Sequence, residues 1–280
     1  MTMTNNKGTT KSNGRKHELD KFYTKPEIAL QCLNRLDLES YSLIIEPSAG
    51  SGAFSSQIDN CLAMDLDPES EGIVKQDWFL YEQERDSDKK VLVVGNPPFG
   101  QQNNLAVKFV NHAARFADTI AFILPKSFMK QSLQDSLNHD FTLKDSWVLP
   151  KNSFTLHGES MDVPCVFQVW EYTPEKRRTV MKAKNIKGIT FVKKEASPDA
   201  YIQRVGGNAG TAGTDVESRS EQSNYFVKID TTVISVEKFI EIVNSTIFSV
   251  RDLSVGPRSI SKKELTNELL ESSDLLVEHI

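Results

Sequence analysis

The alternation of short apolar runs with helical or turn segments restricts the fold of this chain most. Ser42–Ile45, Cys61–Met64, Val91–Val94, Thr119–Leu124, Ser146–Leu149 and Val163–Trp170 are β-prone runs, each far shorter than the roughly 18 residues that a membrane span needs. Leu105–Phe116 and the stretch around Ser127–Leu137 carry apolar residues at helical spacing. Strands that alternate with helical segments form βα units and a mostly parallel sheet. The pattern predicts one doubly wound α/β domain over residues 21–175. A helix is expected to open it, because Thr24-Lys25-Pro26-Glu27 places Thr and Glu at capping-box spacing with Pro in the first turn. Ile28, Ala29, Cys32, Leu33 and Leu36 continue that helix on one face.

The remainder has a different texture. Gly188–Val192 and Tyr225–Ile229 read as strands, residues 206–224 as a Gly/Ser/Thr/Asn-rich loop, and Val236–Val243 as a helix; Ser261-Lys262-Lys263-Glu264 is spaced to cap a last helix. This predicts a smaller α+β region over residues 176–280. Residues 1–20 have too few apolar groups to offset the entropy of ordering and read as a basic tail. They contain no apolar run resembling a secretory leader. Three dispersed cysteines, Cys32, Cys61 and Cys165, form no C-x-x-C pair, which argues against a disulfide framework and a zinc site and fits a reducing intracellular compartment. The five histidines are scattered too, so no metal site is expected.

The net charge of -5 hides a strong asymmetry: Lys176–Lys194 holds eight basic residues and no acidic one. Such a stretch suits phosphates, with a solvated basic surface as the plain alternative.

Four segments carry candidate chemistry. The first strand runs into Glu46-Pro47-Ser48-Ala49-Gly50-Ser51-Gly52-Ala53-Phe54, where glycines allow close backbone approach to a cofactor. It is neither a Walker A loop nor a full G-x-G-x-x-G. The second strand ends at Asp65, where a carboxylate can accept two hydrogen bonds from a ribose diol. Asp77 and Trp78 suit a purine pocket, Asp77 accepting from an exocyclic amine and Trp78 packing on a ring; buried aromatic core is the competing reading. The fourth is decisive. Val91–Val94 leads into Gly95-Asn96-Pro97-Pro98-Phe99-Gly100, where two prolines fix the backbone and remove two donors. The Asn96 side chain and the Pro97 carbonyl are then preset acceptors beside the flat face of Phe99, as transfer to a planar exocyclic amine requires.

With these motifs in place, the chain resembles S-adenosylmethionine-dependent N6-adenine methyltransferases in their gamma arrangement, with cofactor motifs first, the catalytic motif next and a target-recognition part last. Lys21–Glu27 resembles the N-terminal cofactor segment, Glu46–Phe54 the glycine loop and Asn96–Phe99 the Asn-Pro-Pro-aromatic signature. The resemblance implies a Rossmann-like methyltransferase sheet followed by the target-recognition region. It implies Tyr23 and Thr24 near the methionine carboxylate, Glu46 near its amino group, Asp65 on the ribose, and Asp77 with Trp78 at the cofactor adenine. Pro47, Ser48, Gly50, Gly52 and Phe54 would shape the cofactor loop. Asn96, Pro97, Pro98 and Phe99 would form the catalytic segment, with Phe154 as a second stacking aromatic. Lys176, Arg177 and Arg178 would meet phosphates, and Arg204, Arg219 or Arg258 could read bases.

The implied reaction is methylation of adenine N6 in DNA, by direct displacement on a base withdrawn from the stack. Adenine in RNA, protein glutamine, and a non-catalytic nucleic-acid-binding role are the alternatives. The partner expected is nucleic acid, not membrane, and the sequence assigns no oligomeric state.

Overall fold

The computed structural model describes residues 22–173, 175, 185–253, 256–275 and 277–278. The basic tail and the phosphate candidates Lys176, Arg177 and Arg178 lie outside the described residues. Two compact units emerge: the described residues through Pro125 with Asp140–Glu175, and Lys126–His139 with the described residues after Glu175.

The first unit contains β1 (Tyr23–Thr24), β2 (Leu43–Glu46), β3 (Cys61–Asp65), β4 (Val74–Lys75), β5 (Val91–Gly95), β6 (Thr119–Pro125), β7 (Phe141–Val148), β8 (Phe154–Leu156), β9 (Glu159–Met161) and β10 (Cys165–Tyr172). Seven of these form one sheet in the order β4-β3-β2-β5-β6-β10-β7. Strands β2 to β6 pair in parallel, while β10 is antiparallel to both β6 and β7. All six strands expected from the sequence form, in one mostly parallel sheet of the doubly wound kind. β5 and β6 are buried along their whole length, as near-continuous apolar runs should be when a sheet is covered on both faces. The chain leaves β2 toward β3 on one side and later returns as β5 on the other. That makes the carboxyl end of β2 a topological switch point, the place where open α/β sheets bind ligands.

Helix α1 (Pro26–Leu33) buries Ile28, Ala29, Cys32 and Leu33, the predicted stripe. Its cap differs from the expectation. Lys25 is the N-cap residue and makes no side-chain cap bond, because Thr24 is held in β1 opposite Phe154 of β8. Strands β1, β8 and β9 form a separate three-stranded sheet, so cross-strand pairing has overridden a local capping signal. Helix α2 (Asn104–Ala113) carries the apolar stripe read at Leu105–Phe116 and ends a little earlier.

The second unit contains a two-stranded ladder of β11 (Asn185–Ile186) with β16 (Val277–Glu278). Its main sheet, β12 (Ile189–Val192), β13 (Ala200–Gln203), β14 (Ala212–Gly213) and β15 (Asn224–Ile229), is antiparallel in the order β12-β15-β13-β14. The short helix α3 (Gln131–Gln134), α4 (Val236–Ser245) and α5 (Lys262–Ser272) complete the unit. Ser261 and Glu264 make the expected reciprocal capping box on α5. Lys126–His139, read from sequence as part of the first domain, belongs to this unit instead, for an electrostatic reason. Lys130 Nζ lies 3.6 Å from Glu264 and donates to the Ser259 carbonyl, Ser132 Oγ donates to Glu264 Oε1, and Lys263 pairs with Asp135.

Candidate active site

Around the carboxyl ends of β2, β3 and β5 lies a cavity of about 460 Å³, within the size range of small-molecule sites. The structure brings Tyr23, Thr24, Glu46, Pro47, Ser48, Gly50, Phe54, Asp65, Asp77, Trp78 and Asn96–Phe99 to its wall. Gly52 turns the loop at φ +84° behind the lining.

The glycine loop is folded by the strand tips that it joins. Asp65 accepts from the Gly50 amide (2.8 Å) with one oxygen and from the Asp67 amide (2.9 Å) with the other. Tyr23 Oη donates to Glu69 Oε1 at 2.6 Å, and Glu69 N–H bonds the Gly50 carbonyl. Glu46 is 2% exposed and accepts from the Ser55 amide at 2.8 Å. Burial raises its pKa from the ordinary carboxylate range to about 7, against the lowering pull of hydrogen bonds from Ser55 and Phe54. Gly95 makes room for this carboxylate, since a Cβ there would sit 3.3 Å from Glu46 Cγ at a φ of +147°.

Trp78 fits the buried-core reading. It is buried in an aromatic cluster, stacked on Tyr81 at 5.9 Å and edge-on to His112 at 4.8 Å. Its Nε1 is nevertheless buried without a hydrogen-bond partner, on the side chain that lines the cavity. Asp77 caps the turn that follows by accepting from the Phe79 amide at 2.9 Å.

The segment after β5 is held rigidly. Gly100 adopts φ +66°, and a Cβ on it would meet Leu105 Cβ at 2.7 Å, so only glycine allows the chain to turn this closely into α2. Ser48 Oγ donates to the Asn96 carbonyl at 3.3 Å, which ties the glycine loop to the Asn-Pro-Pro segment. Asn96 Nδ2 donates to the Phe22 carbonyl at 3.3 Å. That bond fixes the amide's orientation and leaves Oδ1 buried and unpartnered. Thr24 Oγ1 is likewise buried without a partner. Unmet buried polar atoms are costly, and these three belong to residues of one cavity wall; together they fit a polar ligand with both donor and acceptor groups.

Residues 60–175 match the family model of the EDM2 methyltransferase-like domain. Among solved structures, the chain is similar to PH1948 of Pyrococcus horikoshii, described as an RNA methyltransferase, at 15% identity over 52% of this chain and 82% of that one, with a TM-score of 0.41. A modification subunit from Vibrio vulnificus YJ016, described as part of a type I restriction enzyme, is 14% identical over 56% of this chain with a TM-score of 0.42; the match spans only 45% of that subunit. The 23S rRNA methyltransferase ErmE is 12% identical over 57% of this chain and 73% of its own, with a TM-score of 0.39. No curated protein sequence matches.

Several sequence assignments are corrected. Phe154 is fully buried in the core among Cys32, Leu149 and Phe167 and lines no part of the cavity, so it is not a stacking surface. The proposed base readers are engaged inside the second unit. Arg219 lies 4.2 Å over the Tyr201 ring, Arg204 lies 5.1 Å over Tyr225, and Arg258 pairs with Asp252 at 2.6 Å. Cavity residues given no role of their own from sequence include Phe22, Asp67, Glu69, Gln76 and Phe109. Phe109 belongs to the apolar stripe of α2, a pattern that marks burial without saying against what.

The three cysteines are poor nucleophiles. Burial pushes the Cys32 and Cys61 thiols up to about 12 and raises Cys165 as well. Among the described residues no group of three or more His, Cys, Asp or Glu could hold a metal ion, and no helix is long and apolar enough to cross a membrane.

Proposed function

We propose that the protein transfers a methyl group from S-adenosylmethionine to the N6 amine of adenine in DNA, by direct displacement on a base withdrawn from the helix. The observation that carries this reading is the carboxamide of Asn96. Its nitrogen is bonded to the Phe22 carbonyl, and its oxygen is buried without a partner on a residue of the cavity wall. A carbonyl oxygen fixed in advance accepts an N–H of the target amine and favours the geometry in which the nitrogen lone pair leaves conjugation with the ring. Pro97 and Pro98 supply no amide donors that would compete for that oxygen, and Phe99 gives the base a flat partner.

The unmet donors on the wall support the cofactor. Thr24 Oγ1 would donate to its carboxylate and Trp78 Nε1 to its adenine ring; Glu46 would accept from its ammonium, Asp65 from its ribose and Asp77 from its exocyclic amine. When bound, the cofactor supplies a methyl group made electrophilic by the sulfonium charge. The chain's part is alignment, acceptance of the developing positive charge on N6, and exclusion of water. Lys176, Arg177 and Arg178 would hold phosphates, which gives affinity without sequence information.

The test incubates the protein and its Asn96→Ala variant with labelled S-adenosylmethionine and matched pools of duplex DNA, single-stranded DNA and RNA, and identifies the methylated nucleoside by mass spectrometry. N6-methyldeoxyadenosine that disappears in the variant is the expected result. N6-methyladenosine from the RNA pool replaces DNA with RNA as the substrate, and cofactor binding without product in any pool overturns the reading.

A further inference from the structure

We propose that Glu69 is a positioning residue for the cofactor: it holds the Tyr23 hydroxyl and the Gly50 carbonyl, and so joins three separate parts of the chain into one wall of the cavity. The inference rests on the reading of this cavity as an S-adenosylmethionine site and names the residue that keeps its glycine loop in place. Glu69 lies outside the sequence motifs, in the segment between β3 and β4.

Tyr23, Gly50 and Glu69 all line the cavity, yet they come from β1, the loop after β2 and the segment after β3. Three contacts close a triangle among them. Tyr23 Oη donates to Glu69 Oε1 at 2.6 Å, the length of a charge-assisted bond between a hydroxyl and a carboxylate. The Glu69 amide donates to the Gly50 carbonyl at 3.1 Å. The Tyr23 ring lies against Gly50 itself, since a Cβ built there would meet Tyr23 Cε1 at 3.5 Å. Ser70 Oγ extends the grip to the next residue by donating to the Ser51 carbonyl at 2.9 Å. The Gly50 amide is already bonded to Asp65, so the loop is held at its N–H by one strand tip and at its carbonyl by Glu69.

Glu69 is exposed, and a hydrogen bond that water can replace adds little to the fold. Its effect falls on alignment instead, because Gly50 and Ser51 border the ligand and small displacements there are costly. A hydroxyl has one hydrogen. Tyr23 gives its hydrogen to Glu69, so a bound cofactor meets this oxygen only as an acceptor. The side-chain donor left on β1 for the cofactor carboxylate is then Thr24 Oγ1, which is buried without a partner.

The experiment is a double-mutant cycle on the full chain. Tyr23→Phe removes one oxygen and keeps the ring on Gly50; Glu69→Ala removes the acceptor and keeps the backbone amide. Both single variants, the double variant and Glu69→Gln are compared with wild type for S-adenosylmethionine affinity by calorimetry, cofactor KM, kcat, and melting temperature without cofactor. Each single variant is expected to weaken binding about fivefold, the scale of a typical net hydrogen bond, with KM for the cofactor rising by more than kcat falls. The double variant should bind within about twofold of the weaker single one, because two partners of one bond share a single loss. Glu69→Gln keeps an acceptor oxygen and should recover most of the affinity.

Wild-type affinity in either single variant overturns the proposal. So does a double variant whose loss is the product of the two single losses, or a Glu69→Gln variant as weak as Glu69→Ala. A melting temperature that falls while cofactor affinity holds overturns it as well, because the bond then only braces the fold. A wild-type protein that binds no S-adenosylmethionine overturns the reading of the cavity itself, a result distinct from tight binding that ignores Tyr23 and Glu69.

Discussion

The two units treat their buried polar atoms in opposite ways. In the first, every buried side-chain polar atom without a partner among the described residues belongs to the cavity wall: Thr24 Oγ1, Trp78 Nε1 and Asn96 Oδ1. In the second, such atoms are scattered over Arg204, Arg219, Asn224, Arg251 and Glu268, and the guanidinium groups of Arg204 and Arg219 lie on tyrosine rings. Unmet polarity gathered at one cavity prepares a site for a ligand, whereas cations stacked on aromatics hold a sheet and its loop together. Net charge would have pointed the other way, toward the basic half of the chain as the place where chemistry happens.

The contrast can be broken by experiment. The largest effect is expected from Asn96→Ala: about 10³-fold loss of kcat, the scale of removing one preset polar group from a transition-state site, with cofactor affinity kept within threefold. A variant that retains a tenth of wild-type activity would show that the orphaned oxygen is not held in reserve for the amine. Lys130→Ala should cost about 3 kcal/mol, since it leaves Glu264 buried without its charge partner. Urea denaturation of the second unit's signal measures it, and cofactor binding should persist.

Glu46→Gln should weaken cofactor binding by about 1.5–3 kcal/mol, the worth of a hydrogen bond to a charged group, as read by calorimetry. Binding to the wild type should also fall as pH drops below about 7, when Glu46 takes up a proton. The stability of the cofactor-free protein follows the opposite slope. An acid that binds protons more tightly folded than unfolded favours the fold at low pH, and this stabilisation is lost as pH rises from 4.5 through about 7. Glu46→Gln should flatten that window. The smallest effect belongs to Arg219→Ala, about 0.5–1 kcal/mol of stability for the lost contact with Tyr201. Methylation should be unchanged; a large drop would restore Arg219 as a base reader.

What could be read from the sequence was whatever depends on neighbours along the chain. Val91–Val94 and Thr119–Leu124 announce buried strands because each is apolar throughout, and Ser261 with Glu264 announces a helix start because both cap bonds close within one turn. The failures come from partners far away in sequence. Thr24 had a plausible local cap but is taken by Phe154 across a strand pair. Ser127–Leu137 looked like a crossover helix, yet Lys130 and Asp135 answer to Glu264 and Lys263. In the site, the residue types of the strand tips were legible, since acids and glycines there have few other uses. The contribution of Phe22 was not, because it lies in a carbonyl that every residue possesses.

The pairing of β1 with β8 also fixes an order of assembly. Tyr23 and Thr24 are among the first of the described residues to be synthesised, but the strand that seats them follows the whole parallel part of the sheet. A ribosome-bound chain that has just completed β6 holds the glycine loop and Asn96 but no partner for β1. Closing such a long loop is slow compared with local pairing. The wall that carries Phe22, Tyr23 and Thr24 is therefore among the last parts of the cavity to close, and cofactor binding reports on the end of folding in this unit.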